Sequence, residues 1–318
     1  MSEREALVIG AGVIGLTAAV RLREAGWRVR VRAAQPPERT TSAVAAAMWY
    51  PYRVGPEALV KEWGERSYAV FRMLADDPGT GVRMTHGIEL LPVGADPHVI
   101  PEWAAHIPDF RVARADEVPP GRVGWAFTVP VADTAVYLRW LAARFAEHGG
   151  EVEIARVESL DDVAGEFPLI VNCTGLGARE LVGDAGLRPV RGQVVRVENP
   201  GVRTFWLDEY DPDGLLYVVP RAGDCILGGT AEEGEEDTAP DPAVADSIVR
   251  RCAAAVPALA GVRVLGHRVG LRPWRPEVRL EMETVGGAAV IHNYGHGGAG
   301  VTLSWGCAER VVELARAR

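Results

Sequence analysis

The feature that most constrains this chain is Gly10-Ala-Gly12-Val13-Ile14-Gly15, which directly follows the short apolar run Ala6–Ile9 and leads into an amphipathic stretch closing at Gly26. The order predicts a strand, a glycine turn and a helix. In such a unit the first glycine makes the tight turn, the second lets backbone approach a pyrophosphate, and the third lets helix and strand pack closely. The free N–H groups and positive dipole of the helix end then hold the phosphates. A second strand at Arg28–Val31 completes the signature of a dinucleotide-binding start. Gly10, Gly12, Val13, Ile14 and Gly15 are therefore expected at a cofactor.

One part of this pattern is missing. An acid should end the second strand and hold the adenosine ribose, yet the strand ends Arg32-Ala33-Ala34. An arginine there suits the 2'-phosphate of NADP, so these fifty residues leave the cofactor open. Glu38, Thr40, Thr41 and Ser42 follow, either to bind ribose and phosphate or to serve as turn and capping residues.

Composition narrows the class. With a net charge of -9, the chain lacks the positive excess on which nucleic-acid or acidic-membrane binding rests. Lys61 is the single lysine among 34 basic residues, so any one arginine is weak evidence by itself. Cys173, Cys225, Cys252 and Cys307 lie far apart and read as reduced core thiols, not as a disulfide or metal framework. The apolar run Ala6–Val20 is preceded by Glu3, Arg4 and Glu5, net acidic where a secretory signal wants positive charge. A soluble, cytoplasmic protein without a membrane span is the expectation.

Beyond residue 50 the βαβ alternation stops. Residues 51–130 are rich in Pro, Gly and Trp. A helix is marked from Asp133 to His148, a strand near Val152–Val157, and another at Pro168–Val171 running into Asn172-Cys173-Thr174-Gly175. Strands at Gln193–Val197, Leu215–Val219 and Cys225–Gly228 suggest an antiparallel sheet, and Asp241-Pro242 opens a further helix. Strands at Val262–Arg272, Val278–Met282 and Ala289–His292 precede a C-terminal helix over Ala299–Arg318. The expected architecture is α/β: a Rossmann-like domain (1–50, 141–188 and 280–318) interleaved with a mostly antiparallel α+β substrate domain (51–140 and 189–279).

Ahead of that last helix stands His292-Asn293-Tyr294-Gly295-His296-Gly297-Gly298-Ala299-Gly300. A glycine-rich turn at a helix N-terminus offers N–H donors and a positive dipole to a group that gains negative charge, as a reduced flavin does at its N1–C2=O edge. Gly295, Gly297, Gly298, Gly300, Val301 and Thr302 are candidates for that contact. His292 and His296 have no carboxylate or cysteine beside them in sequence, and no metal site is expected.

The run Val269-Gly-Leu-Arg-Pro-Trp-Arg-Pro-Glu-Val-Arg279, together with His292–Gly298, Thr40–Trp49, Val171–Gly175, Arg191-Gly-Gln193 and Leu216–Pro220, closely resembles the FAD-dependent D-amino-acid oxidase family over nearly the whole chain. The resemblance implies non-covalent FAD and oxidation of a D-amino acid to an imino acid. Water hydrolyses that product to a 2-oxo acid and ammonia, and O2 takes the electrons to give hydrogen peroxide. Matched by position, it implies that Arg279 pairs with the substrate carboxylate, Tyr217 adds a hydroxyl contact and the Gly298 carbonyl receives the amine. A guanidinium suits the first task because its planar fork makes two parallel hydrogen bonds to one carboxylate. Ala47 and Met48 match the backbone at flavin N5, and Val157, Thr174 and Gly175 further cofactor contacts. No acid–base residue is implied, because orientation of the α-hydrogen toward the flavin suffices. A homodimer is compatible with all of this.

Three departures bear on the transfer. Ala34 replaces the ribose-binding acid. Ala299 stands where relatives often carry a bulkier residue, which predicts a wider cavity. The acidic segment Arg203–Asp213 matches a variable cover of the site; facing the side-chain pocket, its carboxylates disfavour acidic substrates over neutral or basic ones, and facing outward they are solvated loop charges. D-aspartate oxidase, glycine or sarcosine oxidation and, more distantly, an NADP-dependent dehydrogenase stand as alternatives.

Overall fold

The computed structural model describes residues 4–318, so Glu3 of the acidic leader lies outside it. Ala6–Ile9 is almost wholly apolar and becomes the buried strand Glu5–Ile9. It pairs in parallel with Arg28–Ala33 on one side (Leu7 opposite Arg30) and with Leu169–Asn172 on the other (Val8 opposite Val171). Ala288–His296 and Glu151–Ile154 extend this parallel group at its two ends. The helix Val13–Glu24 follows at once, with Gly12 at its N-cap and no side chain capping it. Gly15 is fixed by packing: a Cβ there would lie 1.9 Å from the Gly10 carbonyl oxygen.

The sheet does not end with the parallel strands. Among the described residues fourteen strands form one sheet. From Ala288–His296 it passes through Val264–Val285 to Arg188–Glu198, Asp224–Gly228, Leu216–Pro220 and Phe205–Asp208, antiparallel at each step. Val82–Leu90, Gly124–Ala132 and Arg111–Val112 continue it, and the short strand Glu232–Glu233 pairs beside this path with Arg188–Glu198. The expected strands at 262–272 and 278–282 are thus one strand of 22 residues, whose register shifts between Trp274 and Arg279 as it changes partner from Arg188–Glu198 to Ala288–His296.

One large core joins the parallel strands to Val82, Phe127 and Val129 of the outer antiparallel strands, and a second lies against the central antiparallel strands. Helices Val13–Glu24, Thr134–Glu147 and Gly300–Ala317 cover the parallel end. Asp133 caps the second by accepting from Ala135 N at 3.1 Å, and Tyr137, Leu138, Leu141 and Phe145 form its inner face. Trp305 is almost fully buried and donates to Tyr137 Oη at 2.8 Å; burying a side chain of this size contributes roughly 1.5–3 kcal/mol or more. Over the central antiparallel strands the helix Pro242–Ala255, started by Asp241 accepting from Ala243 N and Val244 N, packs Ala245, Ile248 and Cys252 onto Val195, Val218 and Leu227. The expected domain limits at 140/141 and 279/280 fall inside the helix Thr134–Glu147 and the strand Val264–Val285, elements that run on through both limits. All four cysteines are buried free thiols. Among the described residues no helix is long and apolar enough to cross a membrane.

Candidate active site

The carboxyl ends of parallel strands are where open α/β sheets bind ligands. Ile9, Ala33 and Cys173 open there into one continuous cavity of about 680 Å³. At one end it brings together Gly10, Gly12, Val13, Ile14, Thr40, Thr41, Ser42, Val157, Thr174 and Gly175 in its wall. Several of these hydroxyls also hold the wall together. Ser42 Oγ accepts from Val13 N at 3.0 Å, and Thr174 Oγ1 donates to Asn172 Oδ1 at 2.7 Å.

Farther along, Ala47, Met48, Gly297, Gly298, Gly300 and Val301 line the cavity. Ala47 adopts φ 56°, a left-handed conformation uncommon for a residue with a side chain, and so turns its backbone against the cavity. The helix Gly300–Ala317 has no side-chain cap and presents its first turn here. His296 and Asn293 also belong to the wall, and His296 Nε2 and the Asn293 amide are buried without a hydrogen-bond partner among the described residues. Burial pushes the His296 imidazole down to about 3, so it remains neutral.

Three expected cofactor residues lie elsewhere. Gly15 supports the turn by packing. Gly295, at φ 86°, backs onto the Arg275 side chain. Thr302 is corrected: its hydroxyl accepts from Tyr50 N at 3.0 Å and donates to Tyr50 O at 2.9 Å, so it anchors the chain at Tyr50 and does not line the cavity. Ala299, expected to widen the cavity, packs instead against Val60, Trp63 and Leu303.

Arg279 is also corrected. It lies outside the cavity, where Nη1 donates to Tyr294 Oη at 3.0 Å while Glu281 and Glu283 neutralise its charge at 2.7 and 3.5 Å. Beside Tyr217 the cavity is lined instead by Arg272, seven residues earlier in the same motif. Its guanidinium lies 5.8 Å from the Tyr52 ring centroid and Nη1 donates to the Thr230 carbonyl at 3.1 Å. Among the described residues it forms no ion pair, although it is half-buried. Tyr217, expected to share the substrate carboxylate with Arg279, is beside Arg272 instead. Burial raises the Tyr217 hydroxyl pKa despite the Arg272 charge, so it stays protonated and able to donate. Both side chains occupy slots kept open by glycine: a Cβ on Gly192 would lie 2.3 Å from Arg272 Nη1, and one on Gly228 would lie 1.9 Å from Tyr217 Cζ. Gly298 likewise gives way to Tyr52.

The sequence reading missed Arg272, Tyr50, Tyr52, Leu207 and Leu215 at this end, and Gln35 and Arg39 near the missing acid. The signal for Arg272 was present in the motif that supplied Arg279. Arg32, the residue that suggested NADP, is held by Glu153 and Glu166 at 3.0 and 3.1 Å and does not line the cavity. That removes the observation on which the dehydrogenase alternative rested.

A cavity lined by the first turns of two helices, with apolar residues between them and orphaned polar atoms at Asn293 and His296, fits a flavin dinucleotide. The family model for FAD-dependent oxidoreductases, DAO, matches residues 5–314. The chain is 55% identical over 314 residues to a D-amino-acid oxidase from Rubrobacter xylanophilus, covering 98% of this chain and 96% of that one. A D-amino-acid oxidase from Streptomyces coelicolor is 51% identical over 316 residues, with 98% and 96% covered. Among solved structures, glycine oxidase from Bacillus cereus has the same fold, with a TM-score of 0.79 at 21% identity over 99% of this chain and 95% of that one. The chain belongs to the DAO family of FAD-dependent oxidoreductases, and FAD is its cofactor.

Proposed function

We propose that this chain is a D-amino-acid oxidase in which Arg272 and Tyr217 hold the substrate carboxylate and the Gly298 carbonyl accepts a hydrogen bond from its amine. The observation that carries the reading is the unpaired Arg272 guanidinium beside a protonated Tyr217 in the same cavity as the two glycine-rich helix starts. A half-buried cation without a counter-ion favours an anionic ligand, and a carboxylate matches its fork. The motif resemblance, with 55% and 51% identity to D-amino-acid oxidases, supports the same substrate group.

With carboxylate and amine fixed at two points, the two enantiomers exchange the positions of the α-hydrogen and the side chain, so only one presents its hydrogen for removal; the identity to D-amino-acid oxidases supports the D-isomer. FAD supplies the two-electron acceptor for the α-hydrogen leaving as hydride, O2 receiving those electrons to give hydrogen peroxide. Water then hydrolyses the imino acid to a 2-oxo acid and ammonia. Neutral His296 adds no charge to compete with Arg272 for the carboxylate. Leu207, Leu215 and Val219 give the cavity room for a substrate side chain, which favours side-chain-bearing substrates over glycine or sarcosine. The buried free thiols fit a cytoplasmic location.

The test is the visible spectrum of the purified protein followed by a peroxide assay. A yellow protein that releases peroxide with D-alanine, and not with L-alanine, glycine or sarcosine, is expected; a colourless protein after FAD addition, or turnover of glycine alone, contradicts the reading.

A further inference from the structure

Leu207 and Glu209 come from the acidic segment whose orientation the sequence left open, and both face the cavity. Asp208 between them turns away and pairs with Arg122 at 2.9 Å. Glu209 is half-buried, forms no ion pair among the described residues, and its Oε1 is shielded from solvent without a hydrogen-bond partner. Arg53 is the cation that acts on it, and that guanidinium is paired to Glu233 at 2.8 Å. A second cavity of about 360 Å³ continues from the same place, sharing Tyr52, Glu209 and Leu215 with the first; its wall adds Asp213, the cations Arg53 and Arg251, and Glu232, which is paired to Arg191.

We propose that Glu209 is the specificity-determining residue of the substrate end, selecting D-amino acids whose side chain carries an ammonium or guanidinium group. The inference rests on the oxidase reading above and names the substrate class of the same site.

The physical argument is one of uncompensated desolvation. A carboxyl withdrawn from water without a partner is held at a cost. Burial raises Glu209 to about 7, only partly opposed by Arg53, so the carboxyl stands near the midpoint of ionisation at neutral pH. A cationic side chain supplies the missing partner and draws Glu209 to its charged form. An acidic side chain meets repulsion there, and an aliphatic one leaves the carboxyl unsatisfied. Arg272 and Glu209 then hold the two ends of one zwitterionic ligand.

The test uses the FAD-loaded protein and two measurements. The first is kcat/KM for D-lysine relative to D-norleucine, which share chain length and differ in the terminal ammonium. The ratio should fall by about tenfold or more in Glu209→Gln, and Glu209→Arg should turn preference toward D-glutamate. The second needs no variant: flavin absorbance titrations with 6-aminohexanoate and hexanoate should show tighter binding of the amino compound. A D-lysine to D-norleucine ratio that moves less than twofold in both variants overturns the proposal, as does equal or weaker binding of 6-aminohexanoate. In either case persistent D-alanine oxidation leaves the oxidase reading standing. Failure of every D-amino acid, D-alanine included, overturns that reading and the present one with it.

Discussion

The guanidinium of Arg272 lies 5.8 Å from the centroid of the Tyr52 ring and carries no ion pair among the described residues, while Arg279 on the same strand is neutralised by Glu281 and Glu283. Two arginines of one motif therefore have opposite assignments. Arg272→Ala should lower kcat/KM for D-alanine by ~10²–10³-fold, mainly through KM, with flavin retained. Arg279→Ala should change kcat/KM by no more than about twofold and cost up to about 1 kcal/mol of stability through its lost ion pairs. Steady-state kinetics and thermal melts on both variants check this pair.

Tyr217→Phe keeps the ring in its slot against Gly228 and removes only the hydroxyl. A hydrogen bond to a charged group contributes roughly 1.5–3 kcal/mol, so KM for D-alanine should rise by ~10-fold or more. An unchanged KM places the carboxylate elsewhere.

Gly192→Ala puts a methyl 2.3 Å from the present position of Arg272 Nη1. The end of a flexible side chain can move aside, so the fold should hold while the guanidinium loses its place. The expected result is a normal melting temperature and flavin content with kcat/KM reduced at least tenfold, about 1.4 kcal/mol of misplaced binding.

Gly15→Ala differs because the obstructing atom is the Gly10 carbonyl oxygen, 1.9 Å away and part of the backbone. Helix and strand must separate. Overpacking of this kind costs ~1–3 kcal/mol, and the cofactor turn moves with it. Lower thermal stability together with flavin released on gel filtration is expected.

Glu89 ties stability to pH. Burial, against the opposing hydrogen bond from Tyr50 Oη at 2.7 Å and with Glu209 and Asp208 adding to it, raises its carboxyl from 4.5 to about 8. The folded protein thus keeps a proton that the unfolded chain has released across this window, and stability falls as pH rises through it. Glu89→Gln still accepts from Tyr50 and removes the titration. Its melting temperature relative to the unsubstituted protein should rise between pH 5 and pH 8; a constant difference contradicts the assignment.

Much of this was legible in the sequence because glycine positions are dictated by backbone geometry that a sequence displays. The turn Gly10–Gly15, the helix capped by Asp133 and the uncapped start at Gly300 all lie where spacing predicts them. The choice between Arg272 and Arg279 was not legible. It depends on which partner each half of the strand Val264–Val285 takes and on whether acids at 281 and 283 reach the guanidinium. Thr302 was misplaced for a related reason: whether a hydroxyl meets ligand or backbone turns on the path of Tyr50, some 252 residues away in sequence. The orientation of Glu209 likewise emerges only when the sheet is assembled.

The most direct test is anaerobic mixing of the FAD-loaded protein with D-alanine while flavin absorbance is followed. Bleaching with D-alanine and not with L-alanine, greatly slowed at the same substrate concentration in Arg272→Ala and kept in Arg279→Ala, is the predicted result. Full-rate bleaching in Arg272→Ala, or its loss in Arg279→Ala, would contradict the assignment on which the site rests.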